Sequence, residues 1–377
     1  MQIAILAHNL RVAGGRSVGQ NVIAALGRVA DQHEYLMFLP AGVGYEELSK
    51  PSRAVVHYLS FPHGPLSQLR FERFSLPRLV RAFRPDVVWG LGNFGLGRPA
   101  ARQAVLIHKP HLIYEKKYQL GQTPWLRLTN WMIRRRLAAS LPATQLVFCQ
   151  TEAAAQRFRR FFSYRGQIAI MPNAVSEALR RGSPDVRPAV FQQLRCPHVL
   201  FCLTRYYPHK NLEILVEVFR RYREQLRDVA ILFTVSPDDD RAAARFLRRL
   251  REPHLREHLV NVGPLPQQEL PAYYAASTAL ILPTVLESFS GTYLEAMEFE
   301  RPILTSDMDF ARVVCADAAR YFDPFDPASI RDAIRELIDS ATLRQQLIEA
   351  GRQRRQTFVR NWNSIVAEAV ARLEKLV

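Results

Sequence analysis

Apolar runs of strand length recur along the chain, each closed by a turn and most followed by apolar residues at helical spacing. In the first half residues 2–7, 34–39, 55–59, 87–89, 103–107, 146–149 and 168–171 read as strands. In the second half residues 198–203, 230–235, 259–262, 279–282 and 303–304 do the same. Helical spacing appears at residues 18–26, 151–162, 211–222, about 240–251, 267–276, 326–340 and 343–358, and in a final amphipathic stretch, 361–377. Strand and helix alternating in this way predict parallel, doubly wound sheets. A chain of 377 residues is long enough for two such domains, each with its own core. The polar, proline-bearing stretch 176–188 is the expected hinge, giving domains 1–180 and 181–360 followed by a last helix, 361–377.

The densest chemistry lies at residues 279–306. The apolar run 279–282 ends at Pro283, and a short loop carries Glu287 and Ser288. Ser290 and Gly291 then open a helix containing Glu295 before the chain turns at Arg301 and Pro302 into residues 303–304. Such a loop falls at the carboxyl end of a strand, where open parallel sheets bind ligands. The amides of Ser290, Gly291 and Thr292 are helix N-terminal donors suited to an anion, and Gly291 admits close approach to the backbone. Two carboxylates can each hold a diol while the amides between them hold phosphate. That pattern fits a sugar nucleotide better than a metal, since two isolated Glu without His make a poor cage. The plainer alternative is a capped surface helix with solvated Glu side chains.

Two further stretches fall at strand ends. Residues 201–205, Phe-Cys-Leu-Thr-Arg, close one strand, and Lys210-Asn211 follow after a short loop. Near the amino terminus, Gly14 and Gly15 are expected in a loop, residues 8–16, between the first strand and the first helix. Their spacing with Gly19 is not that of a dinucleotide fingerprint, and a tight turn accounts for them equally well.

The Glu287-x7-Glu295 pattern, residues 302–307 (PILTSD), residues 317–324 (DAARYFDP) and the Arg205–Lys210 pair together resemble the group 1 glycosyltransferases. These are the large retaining, metal-independent family 4, with the GT-B fold: two Rossmann-like domains facing across a cleft. The resemblance is strong over residues 195–330 and looser over 1–180. It implies that Arg205 and Lys210 grip the donor diphosphate, with the amides near Gly291 and Thr292 assisting. It further implies that Glu287 positions the donor sugar, Glu295 the ribose, and Gly263 the nucleotide base through backbone amides. Gly14 and Gly15 would face the interdomain cleft. His108, just past the strand 103–107, would touch the donor sugar, with His111 as the rival and a structural histidine as the alternative. The reaction implied is transfer of a sugar from a nucleotide-diphosphate-sugar to an acceptor hydroxyl. Retention without a nucleophile would proceed by front-side attack assisted by the departing phosphate. No cofactor and no metal are expected. The acceptor would be a polysaccharide or lipid-linked glycan, as in the assembly of cell-surface polysaccharide, lipopolysaccharide or glycolipid. The chain departs from the family pattern in three places: Asn211 stands where Gly is usual, Ser290-Gly291-Thr292 replace Gly-Leu-Pro, and Lys109 follows His108 where Asp is frequent.

Charge sharpens the picture. The net charge of +16 is uneven: residues 1–180 hold 24 Lys and Arg against 9 Asp and Glu, and residues 181–377 hold 27 against 26. A one-sided positive field points to an anionic partner for the first half. Residues 116–139 place Leu128, Trp131 and Met132 on one helical face beside Arg127, Arg134, Arg135 and Arg136. Aromatics beside a basic cluster suit an interfacial helix on an anionic membrane, although a core-packed amphipathic helix is as common. No zinc pattern or helix-turn-helix signature accompanies the charge, so a nucleic-acid-binding protein ranks well below an enzyme. Within the enzyme class, a sugar-nucleotide epimerase or a phosphorylase of the same fold is the alternative. Cys149, Cys196, Cys202 and Cys315 show no ligand spacing and are expected as reduced thiols. With no signal-peptide pattern and no apolar stretch of membrane-spanning length, the expected location is the cytoplasm, with a peripheral position on the inner face of the cell membrane.

Overall fold

The computed structural model describes the chain apart from residues 62, 63, 176–178, 180–182, 184, 185, 359 and 360. Much of the expected hinge, 176–188, and the 180/181 domain boundary therefore lie outside the described residues. The chain forms two compact units. One comprises Met1–Ile113, Thr123–Asn173 and Arg360–Val377, and the other Tyr114–Gln122 and Ala174–Val359.

Among the described residues seven strands build the first unit: β1 (Gln2–Leu6), β2 (Glu34–Pro40), β3 (Ala54–Leu59), β4 (Val87–Gly90), β5 (Arg102–Ile107), β6 (Leu146–Cys149) and β7 (Gln167–Ile170). All pair in parallel, in the order β3-β2-β1-β4-β5-β6-β7. Central strands are fully buried, as in Ile3, Ala4, Ile5 and Leu6, because helices cover both faces of a parallel sheet. The first helix, Ala13–Val29, begins five residues before the expected start, so Gly14 and Gly15 stand in its opening turn and not in a loop. Val12 supplies no side-chain cap, which is why the boundary lacks a polar signal. The C-terminal helix, Trp362–Glu374, packs on this first helix, and His33 pairs with Glu374 at 3.1 Å. Residues 65–83, which show no clear period in the sequence, are helical throughout, with a π-turn at Phe71–Ser75 between helices Pro65–Arg70 and Leu76–Phe83.

The described residues of the second unit form six parallel strands: β8 (His198–Cys202), β9 (Val229–Phe233), β10 (Leu259–Asn261), β11 (Ala279–Leu282), β12 (Ile303–Ser306) and β13 (Ala319–Phe322). Their order is β10-β9-β8-β11-β12-β13. The order reverses between β8 and β11, which pair directly with Leu280 opposite Phe201. Such a reversal is the switch point at which open α/β sheets hold ligands beyond the strand ends. β13 is absent from the expected strands, since Ala-Arg-Tyr-Phe carries a charged residue in a very short run.

Candidate active site

The loops beyond β8 and β11 carry most of the candidate side chains, and adjacency of the two strands brings those loops together. The β8 loop ends in a 3-10 turn, Pro208–Lys210, closed by Asn211 at φ 55°. Left-handed backbone of this kind favours Gly or Asn, so Asn211 does the conformational work of the glycine it replaces. Its amide also donates to the Pro324 carbonyl at 2.7 Å. The two loops are tied by the Val285 amide donating to the His209 carbonyl at 3.0 Å and the Thr284 hydroxyl donating to the same oxygen at 3.3 Å. Beyond this tie, the Lys210 ammonium is ion-paired with the Glu287 carboxylate, their side chains 16% and 14% exposed. Arg205, more open at 52%, donates through Nε to Asp239 Oδ1 at 2.8 Å.

Ser290 precedes the helix Gly291–Glu298 without capping its backbone amides, and its hydroxyl instead meets that of Thr292 at 2.7 Å. The first turn holds no acidic residue. A methyl group built on Gly291 would meet only Glu295 Oε1, at 3.9 Å, so the space above this helix end is open. A positive helix end without its own anion favours a phosphate. One turn further on, burial pushes the half-buried Glu295 carboxyl up, and the Tyr274 hydroxyl opposes this by donating to Oε2 at 2.9 Å. Gly263 lies just past β10 at φ 78° with nothing within 4 Å of an added Cβ, so its backbone faces open space. Among the described residues no group of three His, Cys, Asp or Glu could hold a metal ion.

The remaining candidates stand in the first unit, at the carboxyl edge of its sheet. His108 follows β5, and its backbone amide and that of Lys109 both donate to Asn93 Oδ1 at 2.8 Å. Asn93, itself left-handed at φ 64°, turns its amide nitrogen to His108 Nε2 at 3.0 Å, and the Leu91 carbonyl lies 3.1 Å from the same atom. Burial lowers His108 to about 4, helped by Lys109, so the ring is neutral at physiological pH. His111 is lowered to about 4 for the same two reasons, and burial lowers Lys109 itself. Gly15 touches His108: an added Cβ would stand 3.0 Å from Cε1. Gly14 has open space instead.

The basic helix, Pro124–Ser140, divides its arginines between two tasks. Arg134 donates to the His111 carbonyl at 2.9 Å and lies 4.2 Å over the Phe161 ring. Arg136 lies 5.0 Å over Phe94 and pairs with buried Glu72 at 2.5 Å. Burial alone would raise the Glu72 carboxyl, but His8, Arg136 and Gln68 hold it below the ordinary range. Arg134 and Arg136 are thus engaged inside the first unit. Arg127, Trp125 and Trp131 remain exposed, the two indoles at 64% and 52%, and Arg135 lies 5.1 Å over Trp131. No described helix is long and apolar enough to cross a membrane.

Sequence reasoning missed Asp239, Tyr274 and Asn93. Three consecutive Asp after an apolar run, residues 238–240, were the available signal for the first. The contacts of the other two depend on which loops the fold brings together.

Two parallel α/β sheets, the second reversing its strand order between β8 and β11, are the architecture of the GT-B fold class. Residues 191–354 match the family described as Glycosyl transferases group 1, and residues 19–179 match Glycosyltransferase Family 4. The chain belongs to this family and is a glycosyltransferase. It is 22% identical over 301 residues to MMP alpha-(1->4)-mannosyltransferase of Mycolicibacterium hassiacum, covering 76% of this chain and 69% of that one. It is 21% identical over 244 residues to O-antigen chain mannosyltransferase B of Escherichia coli, a match spanning 63% of this chain and 62% of that protein, less than two thirds of its length. Among solved structures, Anabaena HepE in complex with UDP superposes with a TM-score of 0.74 at 16% identity, over 100% of both chains.

Proposed function

We propose that the protein moves a hexosyl group from a nucleotide-diphosphate-sugar to an acceptor hydroxyl, with retention and without a metal. The observation that carries this reading is the Lys210–Glu287 pair at the β8–β11 switch point, beside an open helix N-terminus at Gly291. In the reaction the bond from the sugar C1 to the β-phosphate oxygen breaks and a bond from C1 to the acceptor oxygen forms. The acceptor proton passes to the departing phosphate. Charge develops on that phosphate, and Arg205, Lys210 and the amides of Gly291 and Thr292 stabilise it. Glu287, held by Lys210, accepts sugar hydroxyls, and Glu295 accepts those of the ribose.

The names of the two curated relatives make a mannosyl donor the first to test and a growing glycan the first acceptor class. Exposed Trp125, Trp131 and Arg127 support a peripheral position on an anionic membrane, which suits a lipid-linked glycan acceptor. The test is a panel of UDP-, GDP- and ADP-sugars scored for nucleoside diphosphate release, with the product anomer read by NMR. Release from one donor with the anomeric configuration kept supports the reading, and an inverted product refutes the retaining part of it.

A further inference from the structure

Asp239 stands outside every role described above, yet its carboxylate is one of the most enclosed beside the donor site. It ends the tight turn after β9, and its side chain is 3% exposed. Three donors converge on it: Arg205 Nε on Oδ1 at 2.8 Å, and the amides of Tyr206 at 2.9 Å and Ser236 at 3.2 Å on Oδ2. The last closes its own turn, while the first two reach across from the β8 loop. A second cross-link runs alongside, where the Thr234 hydroxyl accepts from the Thr204 amide and donates to the Thr204 carbonyl, both at 3.0 Å. The β8 and β9 loops are thus zipped together at the base of Arg205.

The direction of the Arg205–Asp239 bond matters. A guanidinium held through Nε keeps both terminal nitrogens for a second partner, and those two nitrogens form the planar fork that matches phosphate oxygens. A carboxylate on the fork itself would compete with the ligand, whereas one on Nε aims the fork and leaves it usable. Half of the Arg205 side chain is open to solvent, so without this bond it would sample many rotamers.

We propose that Asp239 is a positioning residue for the donor diphosphate: it locks Arg205 by Nε so that the terminal nitrogens meet the β-phosphate already oriented. This deepens the donor reading of the site and rests on it. Ordering a rotamer-rich side chain at the moment of binding lowers affinity by about two- to tenfold, and that is the effect expected from releasing Arg205.

The experiment is calorimetric titration of UDP, GDP and ADP, with the matching monophosphates, into wild type, Asp239→Asn, Arg205→Ala and the double variant. Asparagine can still accept from the Tyr206 and Ser236 amides but presents no anion to Arg205, so the loop is kept while the lock is lost. Asp239→Asn should weaken the bound diphosphate about two- to tenfold and leave its monophosphate unchanged. In the Arg205→Ala background it should add nothing. An equal loss in both backgrounds, or an equal loss for monophosphate, makes Asp239 a loop scaffold and overturns the proposal, as does no loss at all. If wild type binds none of the three diphosphates, the donor reading itself fails, which is distinct from failure of the lock.

Discussion

Removing Lys210 should separate what the ion pair does for the fold from what it does for the reaction. In Lys210→Ala the Glu287 carboxylate keeps its enclosure, 14% exposed, and loses its cation. Exposed pairs are worth about 0–1 kcal/mol, and breaking a fully buried pair costs about 3–5 kcal/mol. A pair one-sixth exposed lies between these limits, at about 2 kcal/mol. In a domain of this size that lowers Tm by about 4–8 °C, readable by differential scanning fluorimetry. Turnover should fall at least about tenfold, because a charge-assisted bond to phosphate is worth about 1.5–3 kcal/mol. Adding Glu287→Gln removes the stranded charge, so the double variant should recover most of the Tm and none of the turnover. Recovery of activity together with Tm would make the pair purely structural and refute the catalytic argument, and so would unchanged turnover in Lys210→Ala.

Other outcomes follow from the same geometry. His108 and His111 are held near 4 against an ordinary value near 6.5, so as pH falls the unfolded chain takes up protons first. Their contribution is complete above about pH 6.5 and is lost as pH falls toward 4. Tm should therefore drop between pH 7 and pH 5, and drop less in His108→Gln/His111→Gln; identical profiles would contradict the burial of these rings. Glu295→Gln relieves a carboxyl that burial disfavours, so Tm should hold or rise while donor affinity falls; calorimetry showing undiminished affinity would remove Glu295 from the ribose. Arg127→Gln/Arg135→Gln should weaken binding to anionic vesicles in co-sedimentation, at about 1 kcal/mol per residue, with Tm unchanged. Arg134→Gln and Arg136→Gln should instead lower Tm, since they break contacts to His111, Phe161, Glu72 and Phe94.

Strands were the most legible part of the chain, because both faces of a parallel sheet are buried and each strand becomes a short apolar run. β6 and β11 fall at the expected positions, and their neighbours shift by a residue or two. Segments without that pattern were not legible. The helical stretch 65–83 opens with Pro65 and carries Pro77 in a first turn, where proline is tolerated but mimics a breaker. Residues 114–122 belong to the second unit although they lie deep in the first half, held by the Tyr114 hydroxyl donating to Asp309 at 3.0 Å and by Gly121 against Pro208. At the site, Arg205, Lys210 and Glu287 announce themselves as charges at strand ends. Asp239 shows only as one of three Asp past β9, and what singles it out, lying beside the β8 loop, is set by strand order. In the basic helix four arginines look alike in sequence, and only packing separates Arg134 and Arg136, which are held, from the exposed Arg127 and Arg135.

In the proposed function Lys210 and its neighbours hold a nucleotide-sugar for transfer. That role is tested most directly by donor turnover across UDP-, GDP- and ADP-sugars in the presence of EDTA, wild type against Lys210→Ala. Wild type should release nucleoside diphosphate from at least one donor, undiminished by EDTA, and Lys210→Ala should do so at no more than about a tenth of that rate. Release abolished by EDTA, or equal in the two proteins, would contradict that role.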